Sequence, residues 1–398
     1  MMWQKGRIMA ILIGLLVLCT GNFFVSSMAG EYNQTCKMEG MHTQVCSQYP
    51  AIMVTGYWDP TGKMIAPFST NPYLNPGGWQ GENWENQGYN IYSYFPTPGI
   101  YNGTLEVDYQ DTWTDFWDIT LQIHPVAIIS FGAGDGPWEI EYSTRNLEFW
   151  MNDENPPYQP TPSPPDDTVP AGFIRHSTLP LQEIADAVNS QTDIEAWVDW
   201  DGFAGMYLCE YIGYLGMWYQ SLHSGQGDLF PCRLAGLIHV DDDLSLPDVM
   251  MATNITIRET IRYLKETNTA PYAPHITGPD SGEAGTAYPY TFVATDPEGD
   301  NIYYMVSWGE GCTTTEWMGP YASGEEITLE YAWSQRGEYS ISAIAKDIYD
   351  EESEPGILEV SMPIKENTGY LREVLEMIKD WLDTFHITIP LLNYVLNY

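Results

Sequence analysis

Between residues 50 and 266, short and almost wholly apolar runs alternate with stretches of helical periodicity. Ile52-Met53-Val54 ends in Thr55-Gly56, Val126-Ala127-Ile128-Ile129 ends in a glycine-rich turn, and Leu237-Ile238 ends in His239-Val240. Runs this short with no polar face suit strands covered on both sides, the usual setting of a parallel sheet between helices. The spacing of apolar residues predicts helices over Trp113–Ile123, Leu181–Val188 after Pro180, Met206–Leu222 and Asp248–Lys265. Alternation of the two kinds of element predicts an α/β fold, a three-layer αβα sandwich around a mostly parallel central sheet. Asn71–Gly88 and Glu154–Pro170, rich in Pro, Gly and Asn, read as long surface loops.

The pattern changes after residue 266. Residues 267–274, Thr-Asn-Thr-Ala-Pro-Tyr-Ala-Pro, form a linker, and residues 275–364 follow in short alternating strands separated by turn signals. Tyr290-Thr-Phe-Val-Ala precedes the turn Asp296-Pro297-Glu298-Gly299-Asp300, and Tyr339-Ser-Ile-Ser-Ala-Ile follows the turn at Gly337. Regular alternation of this kind predicts an all-β, immunoglobulin-like sandwich. In the tail, 365–398, Leu371, Val374, Leu375, Ile378, Leu382 and Phe385 fall at helical spacing and predict an amphipathic helix. Docking onto one of the domains is the plain reading of that helix; a partner or membrane surface is the sharper one.

The N-terminus sets the compartment. Lys5 and Arg7 precede the apolar run Ile8–Leu18, and Ser27 and Ala29 occupy the −3/−1 positions of a secretory cleavage site, so 1–29 reads as a signal peptide. Phe23-Phe24-Val25 extends the apolar stretch, as an uncleaved anchor would require, but Thr20 and Asn22 interrupt it and favour cleavage. Three Asn-x-Thr sequons, at Asn33, Asn102 and Asn254, are compatible with a secreted, extracellular chain. In the segment 30–49, Cys36 and Cys46 bracket a short polar stretch and are the natural local disulfide. With Cys19 inside the signal segment, Cys209, Cys232 and Cys312 then remain, so at least one thiol is left over for chemistry or burial.

Charge narrows the partners. With 54 acidic against 15 basic residues the formal net charge is −39, which repels phosphate backbones and excludes a nucleic-acid partner. Hydrophobic residues at 44% are enough to fill real cores and exclude wholesale disorder.

Chemistry concentrates in three residues. Cys209, in Gly205-Met-Tyr-Leu-Cys-Glu-Tyr211, stands near the start of a helical pattern, where the positive dipole end favours thiolate. His239 follows a buried-type strand, and strand C-termini are where α/β sheets present reactive groups. Glu141 follows the turn Gly132-Ala-Gly-Asp-Gly136. A thiol, an imidazole and a carboxylate are the parts of a thiol-nucleophile triad. Each also has a plain explanation, as a buried Cys, a core-edge His and a solvated Glu. A metal-dependent hydrolase built on Asp241-Asp242-Asp243 with His239 is a further reading, although that run suits a solvated loop better.

Residues 51–265 resemble the pyroglutamyl peptidase I family of cysteine peptidases. The resemblance runs through Ile52-Met-Val-Thr-Gly56, Asn71-Pro72, the glycine-rich turn with Glu141 and Asn146, Ser177-Thr-Leu-Pro180, Gly205-x-Tyr207-x-Cys209 and Gly236-x-Ile238-His239, in that order. It implies hydrolysis of an N-terminal pyroglutamyl or related amide, with Cys209 as nucleophile, His239 as acid–base and Glu141 orienting the imidazole. The substrate would be a peptide or small amide, and no cofactor or metal is expected. It also implies substrate-binding positions at Tyr57, Thr61, Asn71 and Gly132. The match is better at the catalytic positions than at these: Thr61 occupies the second Phe position of the family's ring-binding loop, Gly132 stands for its turn Gln, and Tyr142 replaces the Arg after the Glu. A catalytically degenerate binding or cell-surface protein that works through its β-sandwich is the alternative.

Residues 269–363 resemble a PKD-type domain, through Asp296-Pro-Glu-Gly-Asp300 and Trp308-Gly-Glu-Gly311. In exported hydrolases such modules serve as spacers or adhesion domains, which implies cell-surface association through the sandwich or the tail. Asp296 and Asp300 are the residue types that Ca²⁺ takes, but the turn contains no complete ligand loop, and a plain turn is the expectation.

Overall fold

The computed structural model describes residues 49–97, 103–134, 136–225, 228, 230–309, 311–362 and 375–379. The larger domain runs β1 (Ala51–Thr55), α1 (Thr61–Ile65), β2 (Asn90–Tyr94), α2 (Tyr109–Ile123), β3 (Ala127–Gly134), β4 (Trp138–Glu141), β5 (Ser143–Arg145), β6 (Ile174–His176), α3 (Leu181–Gln191), β7 (Ala196–Asp199), α4 (Leu208–Leu222), β8 (Leu234–Asp241) and α5 (Leu246–Glu266). The four helices expected from periodicity are α2 to α5, shifted by a few residues at their ends. Asp108 starts α2 by accepting the N–H groups of Gln110 and Asp111, and Ser245 caps α5 through the N–H of Asp248.

Six strands form one sheet in the order β2-β1-β3-β8-β4-β7. Four of its pairings are parallel, and β4 meets β8 antiparallel, so β4 and β7 run against the other four and the sheet is mixed. The reversal follows from chain length. Residues 135–137 alone separate β3 from β4, far too few for the crossover that a parallel return needs. The chain therefore crosses the end of β8 and comes straight back along its far edge.

The sheet is covered on both faces, as its apolar runs require. One face packs Ile52, Ile129, Ile238 and Val240 against α1, α3 and α5; the other packs Met53, Ile128 and Ala235 against α2 and α4. Helix α4 is buried from Leu208 through Tyr219 apart from Cys209, because aromatic residues of α2 and of the loop after β5 cover the side turned away from the sheet. The Ser177-Thr178 pair stitches the start of β8: Thr178 exchanges bonds with both backbone groups of Ala235.

The second domain is built from two antiparallel sheets. β9 (His275–Thr277), β10 (Tyr288–Val293) and β13 (Ile327–Tyr331) form one; β11 (Ile302–Ser307), β12 (Met318–Tyr321), β14 (Gly337–Lys346) and β15 (Gly356–Met362) form the other. They share one core, in which Trp308 stacks on Tyr331 at 4.5 Å and accepts the Trp333 indole N–H on its carbonyl at 3.0 Å. Tyr349, in the loop after β14, meets Tyr89 of the larger domain at 5.7 Å, with the Arg233 guanidinium 5.9 Å from its ring. Of the tail expected to be helical, residues 375–379 are described and are helical. The remainder of that helix, the signal segment and the Cys36/Cys46 pair lie outside the described residues. Among the described residues no helix is long and apolar enough to cross a membrane.

Candidate active site

Strand β8 is the hub. Gly132 of β3 lies directly across from His239 on one edge, and Glu139 of β4 lies across from it on the other. Glu141 pairs with Leu237 two residues away, which makes it a diagonal neighbour of His239 on the same face. That face is the one α4 covers, since Gly213 in the middle of α4 rests on Leu237. The reversal of β4 thus carries a carboxylate 98 positions away in sequence to the imidazole: His239 Nδ1 and Glu141 Oε1 are 2.8 Å apart. Both side chains are buried, Glu141 to 1% exposure. A carboxylate accepts, so Nδ1 donates, and Nε2 is the nitrogen left for other work.

Cys209 is the second residue of α4 and is partly exposed. The first bond of that helix runs from the Tyr211 N–H to the Tyr207 carbonyl, which leaves the N–H groups of Leu208, Cys209 and Glu210 at the open, positive end. Gly132 explains how close the parts come. A Cβ on this glycine would sit 2.7 Å from the Cys209 Sγ and 2.9 Å from His239 Cδ2. Gly134 is under the same pressure, 2.8 Å from the His239 Cβ. Glycine at both positions lets thiol, imidazole and strand share one corner.

The charges reinforce the geometry. Burial draws the His239 pKa down, but hydrogen bonds to Cys209 and Glu141, and their negative charges, outweigh it and hold the imidazole up at about 10. Glu210, the next residue after Cys209, is fully buried and receives the Arg145 N–H on Oε1 at 2.5 Å. Burial pushes this acid up to about 8, so it is neutral at pH 7. Its position in a first helical turn gives it the look of a dipole-capping, solvated acid, and its burial is not legible from sequence.

The other expected positions are placed as follows. Tyr57 is buried among aromatic residues, with its hydroxyl 3.1 Å from Thr112 Oγ1. Thr61 is fully buried; its hydroxyl accepts the Tyr57 N–H and donates to the Trp58 carbonyl, closing the loop after β1 on itself. Asn71 accepts the Tyr73 N–H and shapes its own turn. Asn146 is a buried staple that exchanges bonds with the backbone of Asp166. Tyr142 stacks on His176 at 4.5 Å. Asp241, Asp242 and Asp243 lie at the outer end of β8, where Asp241 accepts the Asp243 N–H. Cys232 is fully buried, leans on the Leu234 carbonyl and is not bridged to Cys209, and burial raises its pKa.

No protein-family model matches the chain, and no curated protein matches it in sequence. Among solved structures, the chain is similar to a PKD domain of an M14-like peptidase from a Thermoplasmatales archaeon, with 54% identity over 24% of this chain and 99% of that one, at a TM-score of 0.24. It is similar to the pyrrolidone carboxyl peptidase of Thermococcus litoralis, with 18% identity over 55% of this chain and 96% of that one, TM-score 0.41. Pyroglutamyl peptidase I of Bacillus amyloliquefaciens matches with 17% identity over 54% of this chain and 97% of that one, TM-score 0.40.

Proposed function

We propose that this chain, whose second domain belongs with the PKD domains, uses its larger domain as an exported cysteine peptidase that hydrolyses an N-terminal pyroglutamyl or related amide. The observation that carries the reading is the 2.8 Å bond from His239 to Glu141, made beside a thiol at the open end of a helix. A buried imidazole with a carboxylate behind it and a thiol before it is arranged to move protons.

In this reading His239 takes the Cys209 proton, and the thiolate attacks the amide carbonyl carbon. The carbonyl oxygen gains the negative charge and accepts N–H groups at the α4 terminus. Collapse of the tetrahedral intermediate breaks the C–N bond, and the imidazolium gives its proton to the departing amine. Water, deprotonated by His239, then splits the thioester and returns the thiol. Glu141 keeps the imidazole turned with Nε2 toward sulfur and balances its positive charge throughout. Glu141 is a positioning residue; Cys209 and His239 are the catalytic ones.

Specificity follows the loop after β1. Of the two ring positions that the resemblance assigns to this loop, Tyr57 keeps an aromatic side chain and Thr61 does not, its hydroxyl closed on its own backbone. The N-terminal group in this reading is pyroglutamyl or a related amide. Export rests on the 1–29 segment, and the sandwich serves as spacer or surface attachment. A fluorogenic pyroglutamyl-amide substrate under reducing conditions tests the proposal. Turnover is expected, with a loss on Cys209→Ala of about 10⁴-fold or more. A folded wild-type protein with no turnover on this or other N-terminal amides points instead to a binding protein working through its sandwich.

A further inference from the structure

The Cys209 corner continues along one row of the sheet. Gly132 of β3 pairs with His239 of β8, His239 with Glu139 of β4, and Glu139 with Trp197 of β7. Directly paired residues put their side chains on the same face, so these four stand side by side on the face that α4 and Cys209 occupy. Gly132 and Gly134 crowd the Cδ2 edge of the imidazole, which turns its Nδ1 edge toward β4. Carboxylate oxygens of Glu139 and Glu141 and a ring nitrogen of His239 lie within 4.8 Å of one another.

Glu139 is the carboxylate that the triad leaves unused. Glu141 already takes Nδ1 at 2.8 Å, and Glu139 is only half-buried. No ion pair among the described residues includes Glu139. Burial and then the charge of Glu141 push its pKa up, and Asp199 adds to this; His239 and a hydrogen bond from Trp197 draw it down. Arg145, a cation close enough to act on Glu210, is turned instead to the Phe203 ring and the Asp201 carbonyl. Trp197 ends the row 37% exposed, its ring laid against Gly136 in the turn that leaves β3. A negative oxygen beside a partly open indole suits a cation carried on a long apolar stem.

The order of the strands gives a bound substrate its direction. Tyr57, on the acyl side in the peptidase reading, follows β1 and is close enough to Cys209 for their charges to interact. In the sheet, β1 and β4 flank the β3–β8 pair on opposite sides. The departing nitrogen must lie against His239, which protonates it, and the peptide beyond it then runs over β4 and β7. Glu139 is one strand from His239 and Trp197 is two, about 5 and about 10 Å, within reach of a long side chain on the first departing residue. We propose that Glu139 and Trp197 form a leaving-group subsite, and that the substrates are peptides in which Lys or Arg follows the pyroglutamyl or related group. The proposal rests on the peptidase reading and adds to it the identity of the residue after the scissile bond.

The test uses the full chain and four pyroglutamyl peptides that differ only in the residue after the amide: Arg, Lys, Ala or Glu. In the wild type kcat/KM should be about tenfold higher for Arg and Lys than for Ala, and lowest for Glu. The ratio of Arg to Ala within one variant cancels damage to the catalytic groups, so it is the quantity to read. Glu139→Gln should bring that ratio close to one, and Glu139→Lys should invert the order of Arg and Glu. Trp197→Leu leaves every charge in place and should lower the ratio about two- to fivefold, a reading that stands even if the Glu139 variants turn over too slowly to assay. Raising salt from about 0.1 to about 1 M should shrink the wild-type ratio. A folded wild type that turns over none of the four peptides overturns the peptidase reading and this inference with it. Turnover with an Arg-to-Ala ratio near one, or a preference that survives both Glu139→Gln and Trp197→Leu, overturns the subsite alone and leaves the peptidase reading standing.

Discussion

Glu141 and Asp300 are both carboxylates removed from water, one in each domain, and the fold treats them in opposite ways. Glu141 has an imidazole at 2.8 Å, so its charge is spent on a neighbour within the chain. Asp300 has no partner for either oxygen among the described residues. In the first domain a strand reversal brings a cation-forming group to the buried acid; in the second, several acids converge and the guanidinium whose charge reaches Asp300 is bonded elsewhere. A buried acid with a partner organises chemistry, whereas burial and the neighbouring Asp296 push the one without a partner, Asp300, up to about 8.

The strongest way to break that comparison is to remove the charge of Glu141 and keep its shape. In Glu141→Gln the amide still fills the site, but it no longer fixes the tautomer or balances an imidazolium. Turnover on the amide substrate should fall about 10³–10⁴-fold. The pH profile moves as well. The wild-type imidazole is held at about 10, so the proton-donating form persists to alkaline pH and the alkaline limb lies there. Without the carboxylate the limb should shift toward the ordinary histidine value of 6.5. A variant within about tenfold of the wild type and with an unmoved limb would reduce Glu141 to a packing residue.

A second change leaves every charge in place and alters spacing alone. Gly132→Ala puts a methyl 2.7 Å from the Cys209 sulfur and 2.9 Å from the His239 ring. Both neighbours belong to rigid elements, so the sulfur and the imidazole must part, and a displacement near 1 Å costs about 10²-fold in rate. Melting temperature should change less than kcat, because the added methyl meets Cys209 and His239 first. Unaltered kcat would mean that the corner is looser than its contacts indicate.

Much of this corner was legible before the fold. Cys209 and His239 announce themselves, one at a helix start and the other at the end of an apolar strand, because local pattern fixes where such residues lie. Glu141 was legible through resemblance rather than periodicity, since its approach to His239 depends on β4 turning back across β8, and a pairing direction leaves no mark on a four-residue strand. The acidic group around Asp300 was half legible for the same reason. Asp296 and Asp300 share a turn, whereas Asp347 and Asn268 arrive from separate loops that only tertiary structure brings together. Thr61 and Asn71 read as ligand contacts from their motif neighbours, but their hydrogen bonds shape their own loops.

Glu210 stands between the two extremes and gives the smallest, most discriminating test. It is buried like Asp300, and like Glu141 it has one bonded oxygen and an Oε2 with no partner among the described residues, but its donor is the neutral Arg145 N–H rather than an imidazole. Burial pushes this acid up to about 8, as it pushes Asp300, where an ordinary glutamate titrates near 4.5. Between those two values the folded state holds a proton that the unfolded chain has released. The stability this proton confers is complete below about 4.5 and is lost as pH rises toward 8. Glu210→Gln retains the acceptor for Arg145 and has nothing to ionise. The difference in melting temperature between variant and wild type should be close to zero at about pH 5 and should grow to a few degrees in favour of the variant by about pH 9. A difference independent of pH would mean that Glu210 is ionised in the folded protein, with a counter-charge or water at Oε2, and would move it to the side of Glu141.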